Sequence, residues 1–216
     1  MKALKHRVTL SPHSSALITH LSPYLPEGSA PVAATWIKRK NITFIITPPR
    51  KSLMGDFRPA QKGDPPSISV SSNLNQYAFL ITFVHEFAHL AVWERFKHKA
   101  TPHGDAWQFA FNQLLTKFLA HPVFPTDIET ALKKHIERPS SSTCYDKTLY
   151  RTLMKYDDIP KITVEQIQIG HKFADDNGRI FIRGHKMRTR YVCTLQSTGQ
   201  LFYFPALYPV HIVTVG

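Results

Sequence analysis

The sequence is most constrained by a single charged residue inside a long apolar run. Between Leu74 and Trp93 the only formally charged side chain is Glu86, which follows His85 and precedes His89 in the stretch FVHEFAHLAVW. Apolar residues fall on nearly every face of the helix that this run predicts, so we expect the helix to be buried. A buried carboxylate without a partner costs on the order of several kcal/mol, so the polar residues need compensation. A metal ion is a candidate partner.

The two histidines are four residues apart, so on a helix they lie on one face, one turn apart. That spacing lets both imidazoles bind one Zn²⁺, with Glu86 beside the metal where it can take a proton from water. A catalytic zinc needs three protein ligands and one open position. His103, in the loop PHGDAW, is the candidate third ligand, because a helix–loop–helix hairpin can bring it back to the metal. The alternative is a histidine pair that is hydrogen-bonded within a core.

Other third ligands fit the sequence less well. A metzincin would have its histidine at the position of Arg95 and a glycine at the position of Val92, and neither is present. A zincin with a carboxylate ligand needs an acid on a later helix, where Asp105 is the acid nearby. His98 lies among lysines and is expected on the solvated surface.

The first 138 residues predict a mixed α+β domain. Runs of β-branched residues that end at prolines predict strands, and apolar residues at helical spacing predict helices. Residues 48–66 are rich in proline and glycine and predict an extended loop or a ragged hairpin, while residues 29–37 favour neither helix nor strand. The predicted elements are a short helix within residues 9–25, strands at Asn41–Thr47 and Ser67–Val70, and helices from Ser72 to Phe96, Asp105 to Leu119 and Pro125 to Ile136.

The character of the sequence changes after residue 138. RPSSSTCYDK is typical of a linker, which we assign to residues 139–159. Residues 160–216 are rich in Val, Ile, Tyr and Phe, with glycines at turn positions, and predict a small antiparallel sheet or barrel. The expected order is therefore an α+β domain over residues 1–138, a linker, and a small all-β tail.

Charge suggests a class of partner. The chain has 27 Lys+Arg against 15 Asp+Glu, a formal net charge of +12, which favours nucleic acid first and an anionic membrane surface second. A basic protein without such a partner has the same composition. In the tail, Lys186, Arg188 and Arg190 are expected to alternate on one strand face near Tyr191 and Phe181, which suits single-stranded nucleic acid such as DNA. A solvated strand face explains the same charges.

Cysteine content and hydropathy bear on the compartment. Two cysteines, Cys144 and Cys193, do not make a disulfide framework and are typical of a reducing compartment. After the basic N-terminus the apolar stretch SALITHL is short and is broken by His20, so no secretory signal is expected. No apolar stretch approaches the length of about 18 residues that a membrane helix needs. We expect a cytoplasmic protein with no membrane partner, and its oligomeric state is left open.

The stretch HEFAHLAVWERFKHKATPHGDAW resembles the SprT-like metalloprotease domain, the bacterial SprT and eukaryotic Spartan group. The pattern of that family is H-E-x-x-H, a loop, and then H-G-x-x-W or H-G-x-x-F. The resemblance spans residues 10–138 and includes ITFIITPPRKSLMGDFR upstream. It implies a zincin-like fold with the active-site helix packed on a small sheet, His85, His89 and His103 as ligands of one catalytic zinc, and Glu86 as the general base. It also implies a stress-response hydrolase acting on DNA-bound or DNA-crosslinked proteins.

The tail departs from this family. Many members carry a zinc ribbon built from two C-x-x-C pairs, whereas here Cys193 occupies one ligand position and Gln196 that of its partner. Cys144 is similarly alone, and two cysteines cannot supply four thiolates, so a second zinc is not expected. The ribbon position is degenerate, and we expect an apolar core to hold the tail together.

Three functions fit these residues. The first is a zinc metalloendopeptidase in which Ser67–Val70 pairs with an extended protein substrate, although this segment can equally be an ordinary inner strand. The second is a non-proteolytic, zinc-containing nucleic-acid-binding or stress-related adaptor. The third is a zinc hydrolase that acts on a bond outside proteins. Glu86 favours an enzyme, because a purely structural site has no need of a glutamate beside the metal.

Overall fold

The computed structural model describes residues 6–50, 53–61, 63–137 and 147–213. The chain forms two compact units, Met1–Asp158 and Ile159–Gly216. The first unit combines helices with a sheet, and the second consists mainly of strands, so the predicted α+β class is confirmed. None of the helices among these residues is long and apolar enough to cross a membrane.

The first unit has a four-stranded sheet in the order β1-β2-β4-β3. Strands β2 and β4 are parallel, and the two outer pairs, β1 with β2 and β3 with β4, are antiparallel. Helix α2 covers the segment that the sequence left ambiguous. The strands are β1 (Val8–Leu10), β2 (Thr43–Thr47), β3 (Gly55–Arg58) and β4 (Ser67–Ser71), and the helices are α1 (Leu17–Leu21), α2 (Ser29–Arg39), α3 (Gln76–Phe96), α4 (Asp105–Leu119), α5 (Thr126–Glu137) and α6 (Lys147–Met154).

Helix α3 forms the centre of the apolar core of this unit. Phe44 of β2 packs edge-on against Phe79 and Phe83 of α3, with ring centroids 6.3 and 5.5 Å apart. The helix begins later than the sequence predicts, because the N–H of Ser72 donates to a carbonyl of β2 and so extends the sheet. Asn75 caps the helix instead and accepts a hydrogen bond from the N–H of Ala78 at 3.0 Å.

The proline- and glycine-rich segment after β2, for which the sequence left an extended loop and a ragged hairpin open, contains strand β3. Strand β3 pairs antiparallel with β4, with Gly55 opposite Val70 and Phe57 opposite Ile68. Strand β4 is consequently hydrogen-bonded on both sides, to β2 and to β3. The hypothesis that Ser67–Val70 offers a free edge to a substrate is therefore wrong. On this side of the sheet the outer strand is β3.

The predicted linker contains a helix. Residues 138–146 lie outside the part of the chain that the structure describes. Residues Lys147–Met154 form α6, which buries Leu149 and Leu153 in the core of the first unit. These leucines are four residues apart, so they share one helix face. The boundary between the units follows Asp158.

The second unit contains a six-stranded antiparallel sheet in the order β5-β10-β6-β7-β8-β9. Its core includes Phe173, Phe181 and Phe204, whose ring centroids lie 4.9 to 5.6 Å apart. Cys193 is fully buried in the same core, and Cys144 lies outside the described residues. The strands are β5 (Ile162–Thr163), β6 (Lys172–Ala174), β7 (Ile180–Lys186), β8 (Arg190–Leu195), β9 (Leu201–Pro205) and β10 (Pro209–Ile212).

Candidate metal centre

Three imidazoles converge on one point of the first unit. The Nε2 atoms of His85, His89 and His103 lie 3.0 to 3.2 Å from one another, whereas the ring centroids are 4.7 to 5.0 Å apart. The rings therefore point at each other through Nε2. Within the described ranges this is the one group of three or more metal-binding side chains.

Hydrogen bonding among the rings does not explain this triangle. Each Nε2 has either one N–H or one lone pair in the ring plane, so at most one of the three pairs can form a hydrogen bond. Three nitrogens bound to one tetrahedral ion at about 2.0–2.1 Å lie about 3.3 Å apart, close to the observed spacing. The donor set and its geometry fit a metal ion with one open coordination position.

Helix α3 places two of these rings, as the sequence predicts. His85 and His89 occupy one face, one turn apart, and His85 is 9 % exposed while His89 is half-buried. Burial lowers the pKa of His85 to about 3, with the neighbouring histidines adding to the effect, and lowers the pKa of His89 to about 4. Both rings are thus neutral at pH 7 and offer lone pairs to a metal.

His103 reaches the same point from the turn before α4. Its φ is 58°, in the left-handed region that residues with a side chain rarely occupy. Two contacts hold the turn: the N–H of Gly104 donates to the carbonyl of Thr101 at 3.0 Å, and the side-chain amide of Gln108 donates to the His103 carbonyl at 3.3 Å. A strained backbone maintained by its surroundings is common where a ligand must be aimed.

Trp107 forms an apolar wall behind the three imidazoles. Its ring centroid lies 4.5 Å from that of His85, 5.4 Å from that of His89 and 4.8 Å from that of His103. The indole is buried and stacks on Phe111 with an interplanar angle of 11°. This wall limits the directions that the imidazoles can take and keeps water from that side of the centre.

Glu86 lies beside His85 on α3 and is 7 % exposed. Burial raises the pKa of its carboxyl to about 8, and the nearby Asp56 adds to the rise. Two groups act in the opposite sense: the backbone N–H of Phe57, which is hydrogen-bonded to the carboxyl, and the charge of Arg50. Without a metal, Glu86 is therefore mainly protonated at pH 7, and a cation beside it would favour the carboxylate.

The competing ligands lie outside the centre. His98 is exposed in a short 3₁₀ turn at Lys97–Lys99, and Asp105 is exposed at the start of α4. The sequence reasoning missed the contribution of β3, which supplies the Phe57 N–H to Glu86. The available signal was the glycine in GDF, since glycine inside a strand often marks a close approach of two backbones.

The arrangement of the basic residues in the second unit differs from the one that the sequence predicts. Lys186 ends β7, Arg188 lies in the turn and Arg190 begins β8, so they surround a hairpin tip and do not alternate on one strand face. Tyr191 and Phe181 are buried in the core and are not available to stack on bases. We call His185–Arg190, which is exposed throughout, the basic hairpin.

No protein-family model, curated protein or solved structure matches this chain. The resemblance to the SprT-like family therefore rests on the sequence motif, and its functional meaning is argued from the geometry of the centre.

Proposed function

We propose that this protein is a zinc-dependent metalloendopeptidase of the HExxH type, with a zincin-like first unit. The observation that carries the proposal is the convergence of three neutral imidazoles on one point with a buried carboxyl beside it. His85, His89 and His103 would hold the ion and Glu86 would act as the general base. The motif resemblance to SprT-like proteases supports the same assignment.

The roles of the residues follow from their chemistry. A zinc ion held by His85, His89 and His103 would supply Lewis acidity to the scissile carbonyl and to the attacking water. Glu86 would accept a proton from the attacking water and later give it to the leaving amine, a task that suits a carboxyl group whose pKa is adjustable around neutrality. The apolar wall of Trp107 keeps the three imidazoles neutral and in position.

The edge strand gives the substrate a place to bind. Strand β3 is outermost in the sheet and runs past Glu86, so an extended peptide paired with β3 would carry its scissile bond past the base and the three histidines. This arrangement favours a protein substrate over a small molecule, and an unfolded or flexible segment over a compact domain.

The substrate class we propose is protein bound or crosslinked to DNA. Three observations support it: the net charge of +12, the exposed basic hairpin of the second unit and the resemblance to the SprT-like family. Lys186, Arg188 and Arg190 project from one hairpin, where they can contact successive phosphates of a single strand. The physiological role would then be DNA–protein crosslink repair or a related stress response.

The alternative is a non-proteolytic zinc-containing adaptor that binds nucleic acid or acts in stress. It would need the three histidines and the basic hairpin but not Glu86. The under-compensated burial of Glu86 beside the ligands favours the enzyme, because an adaptor gains nothing from that cost.

Metal content and proteolysis of the same preparations test the proposal. We would compare wild type, Glu86→Gln and Glu94→Gln, a matched change on the exposed face of the same helix. We expect one zinc in all three, cleavage of an unfolded protein with and without single-stranded DNA by wild type and Glu94→Gln, and a loss of about 10²–10⁴-fold in Glu86→Gln. Zinc in every sample without cleavage of any substrate would favour the adaptor, and cleavage by Glu86→Gln would contradict the assigned base.

A further inference from the structure

Strand β3 and helix α3 approach each other most closely at Gly55. A Cβ atom at this position would lie 2.6 Å from Oε1 of Glu86, 2.8 Å from its Cγ and 2.7 Å from Cγ2 of Thr82. Real Cβ atoms essentially never make contacts below 3.0 Å. Gly55 does not have a positive φ, so its backbone would suit other residues. The lack of a side chain is therefore required by the space that Glu86 occupies.

The same strand directs a donor at this carboxyl. The carbonyl of Met54 accepts a hydrogen bond from the N–H of Ser71 in the β4 strand at 2.8 Å. Because backbone groups alternate in direction along a strand, Asp56 also faces β4, while Gly55 and Phe57 face away from it. The outward N–H of Phe57 lies near the Glu86 carboxyl and, as a backbone donor, lowers the pKa of that carboxyl. One short stretch of edge strand thus leaves room for the carboxyl and also anchors it.

We propose that Gly55 is a positioning residue, which lets the Phe57 N–H hold the Glu86 carboxyl in the orientation needed for proton transfer. The kinetic meaning of this contact rests on the proposed function, whereas the contact itself does not. Sequence reasoning assigned no role to either residue of β3.

The surroundings leave few ways to accommodate a methyl group at position 55. Thr82 is β-branched and buried in α3, which restricts its side chain to two χ1 rotamers. The methyl group must therefore displace either the Glu86 carboxyl or β3 itself. Either movement changes the position of the carboxyl relative to the Phe57 N–H. A misplacement of about 1 Å at a reacting group can cost about 100-fold in rate.

Gly55→Ala is the first variant to measure. We expect kcat to fall by about 10- to 100-fold while KM changes by less than about threefold and the zinc content stays at wild-type level. We also expect the Phe57 amide to exchange hydrogen at least about tenfold faster in metal-free protein, since an edge amide without an acceptor is open to water. In ¹⁵N-phenylalanine-labelled protein this resonance is identified by its absence from Phe57→Ala.

Gly184→Ala in β7 is the matched control, because it introduces a similar steric clash away from Glu86. A Cβ at Gly184 would lie 2.7 Å from the carbonyl oxygen of Val192, and Gly184 also lacks a positive φ. We expect this variant to be less stable than wild type but to keep the wild-type exchange rate at Phe57. Faster Phe57 exchange in both glycine variants would attribute the effect to general loosening and overturn the proposal.

A second pair of variants isolates the N–H. Phe57→Pro removes this donor, which the β-ladder does not use, and proline is tolerated at such outward edge positions. Phe57→Ala removes the ring, whose centroid lies 6.2 Å from that of Trp93, but keeps the donor. We expect kcat of Phe57→Pro to be about tenfold below that of Phe57→Ala, whereas a loss of substrate pairing along the outward edge of β3 would raise KM instead. Equal kcat values would overturn the role of the N–H, even if Gly55→Ala fails to fold.

The outcomes separate this inference from the proposed function. If wild type cleaves protein and folded Gly55→Ala keeps its kcat, the positioning role is wrong and the protease stands. If wild type binds zinc but cleaves nothing, the proposed function is wrong. Hydrogen exchange of the Phe57 amide then tests whether that amide contacts the Glu86 carboxyl. Faster exchange in both Gly55→Ala and Glu86→Ala supports it, and unchanged exchange in either variant overturns it.

Discussion

Each unit contains a buried carboxylic acid, and the two are treated differently. Glu86 in the first unit is 7 % exposed and Asp175 in the second is 1 % exposed. Asp175 accepts hydrogen bonds from the N–H groups of Asn177 and Arg179 at 3.0 and 2.9 Å and pairs with the Arg179 guanidinium at 2.7 to 2.8 Å. Burial alone would raise the pKa of Asp175, but these donors outweigh it and hold the pKa below its ordinary value.

Glu86 has far less compensation. Burial and Asp56 raise its pKa to about 8, against which the structure sets the Phe57 N–H and the charge of Arg50. Asp175 thus stabilises the turn between β6 and β7, whereas Glu86 stays responsive to any cation that arrives beside it. Carboxyl groups whose burial is left uncompensated occur preferentially at reactive sites, and the contrast favours chemistry in the first unit.

Removing a proposed histidine ligand gives the largest expected effect. It tests whether a metal ion binds at the three histidines beside Glu86. We expect His89→Ala and His103→Ala to lose at least about 100-fold in zinc affinity, because a catalytic site cannot hold the ion with two ligands. His98→Ala, an exposed neighbour in the sequence, should bind zinc as wild type does. Competition with a chelator measures the three affinities. Equal zinc affinities in the three variants would contradict the assignment of the three imidazoles as metal ligands.

Neutralising the two acids compares them directly. Asp175→Asn breaks a partly buried ion pair whose arginine is 47 % exposed, so we expect a loss of roughly 2 kcal/mol in the stability of the second unit. Glu86→Gln in metal-free protein should cost less, since the neutral amide resembles the protonated acid already present. Hydrogen exchange of each unit in urea measures both changes. A larger loss for Glu86→Gln would mean that its charged form is compensated after all.

The stability of the metal-free first unit should depend on pH in a characteristic way. The raised pKa of Glu86 contributes stability that is present below pH 4.5 and lost as pH rises through about 8. The lowered pKa values of His85 and His89 contribute stability that is present above pH 6.5 and lost as pH falls towards about 4 and then about 3. From these groups we expect maximum stability near pH 6.5, declining by about 1–2 kcal/mol at pH 8.

Tryptophan fluorescence in urea measures this profile. All three tryptophans, Trp36, Trp93 and Trp107, belong to the first unit, so the signal is not mixed with that of the second. Glu86→Gln should flatten the curve between pH 6.5 and pH 8 and steepen the decline between pH 6.5 and pH 4.5, where Glu86 in the wild type partly offsets the loss caused by His85 and His89. A decline towards pH 8 that persists in Glu86→Gln would assign the pH dependence to another group.

The features that depend on local spacing were predicted from the sequence, and those that depend on pairing with a distant segment were not. Helix α3 and two of the ligands follow from local spacing, and the motif placed His103 in the following turn. The structure brings these three side chains together. Strand β3 could not be predicted in the same way, because it forms in a proline- and glycine-rich segment only by pairing with β4, further along the chain. The contact between Gly55 and Glu86 depends on that pairing.

The basic residues of the tail show the same limit of local reasoning. Alternate spacing predicted one strand face for Lys186, Arg188 and Arg190, whereas the β7–β8 register introduces a turn among them. Whether alternate residues share a face depends on where the strand ends. That point is decided by hydrogen bonds to neighbouring strands, which spacing along the chain does not contain.

The smallest expected effect concerns the basic hairpin and tests what the second unit contributes. If its cations contact phosphates, Lys186→Ala or Arg188→Ala should weaken binding of single-stranded DNA a few-fold and reduce the salt dependence, log Kd against log salt concentration, by about 0.7 per charge. Lys172→Ala in β6 removes one exposed charge from the same unit outside the hairpin and should leave the slope nearer its wild-type value. Fluorescence anisotropy over a salt series measures all three.

Equal changes in the three variants would mean that DNA senses only the net charge of the protein. The second unit would then be a solvated basic surface, and the function would be concentrated in the first unit, around Glu86. A change confined to Lys186→Ala and Arg188→Ala would instead divide the work between the units. The hairpin would bring the protein to a polyanion through exposed, individually weak contacts, while the buried centre would account for the chemistry, and losing one hairpin cation would alter affinity without altering kcat.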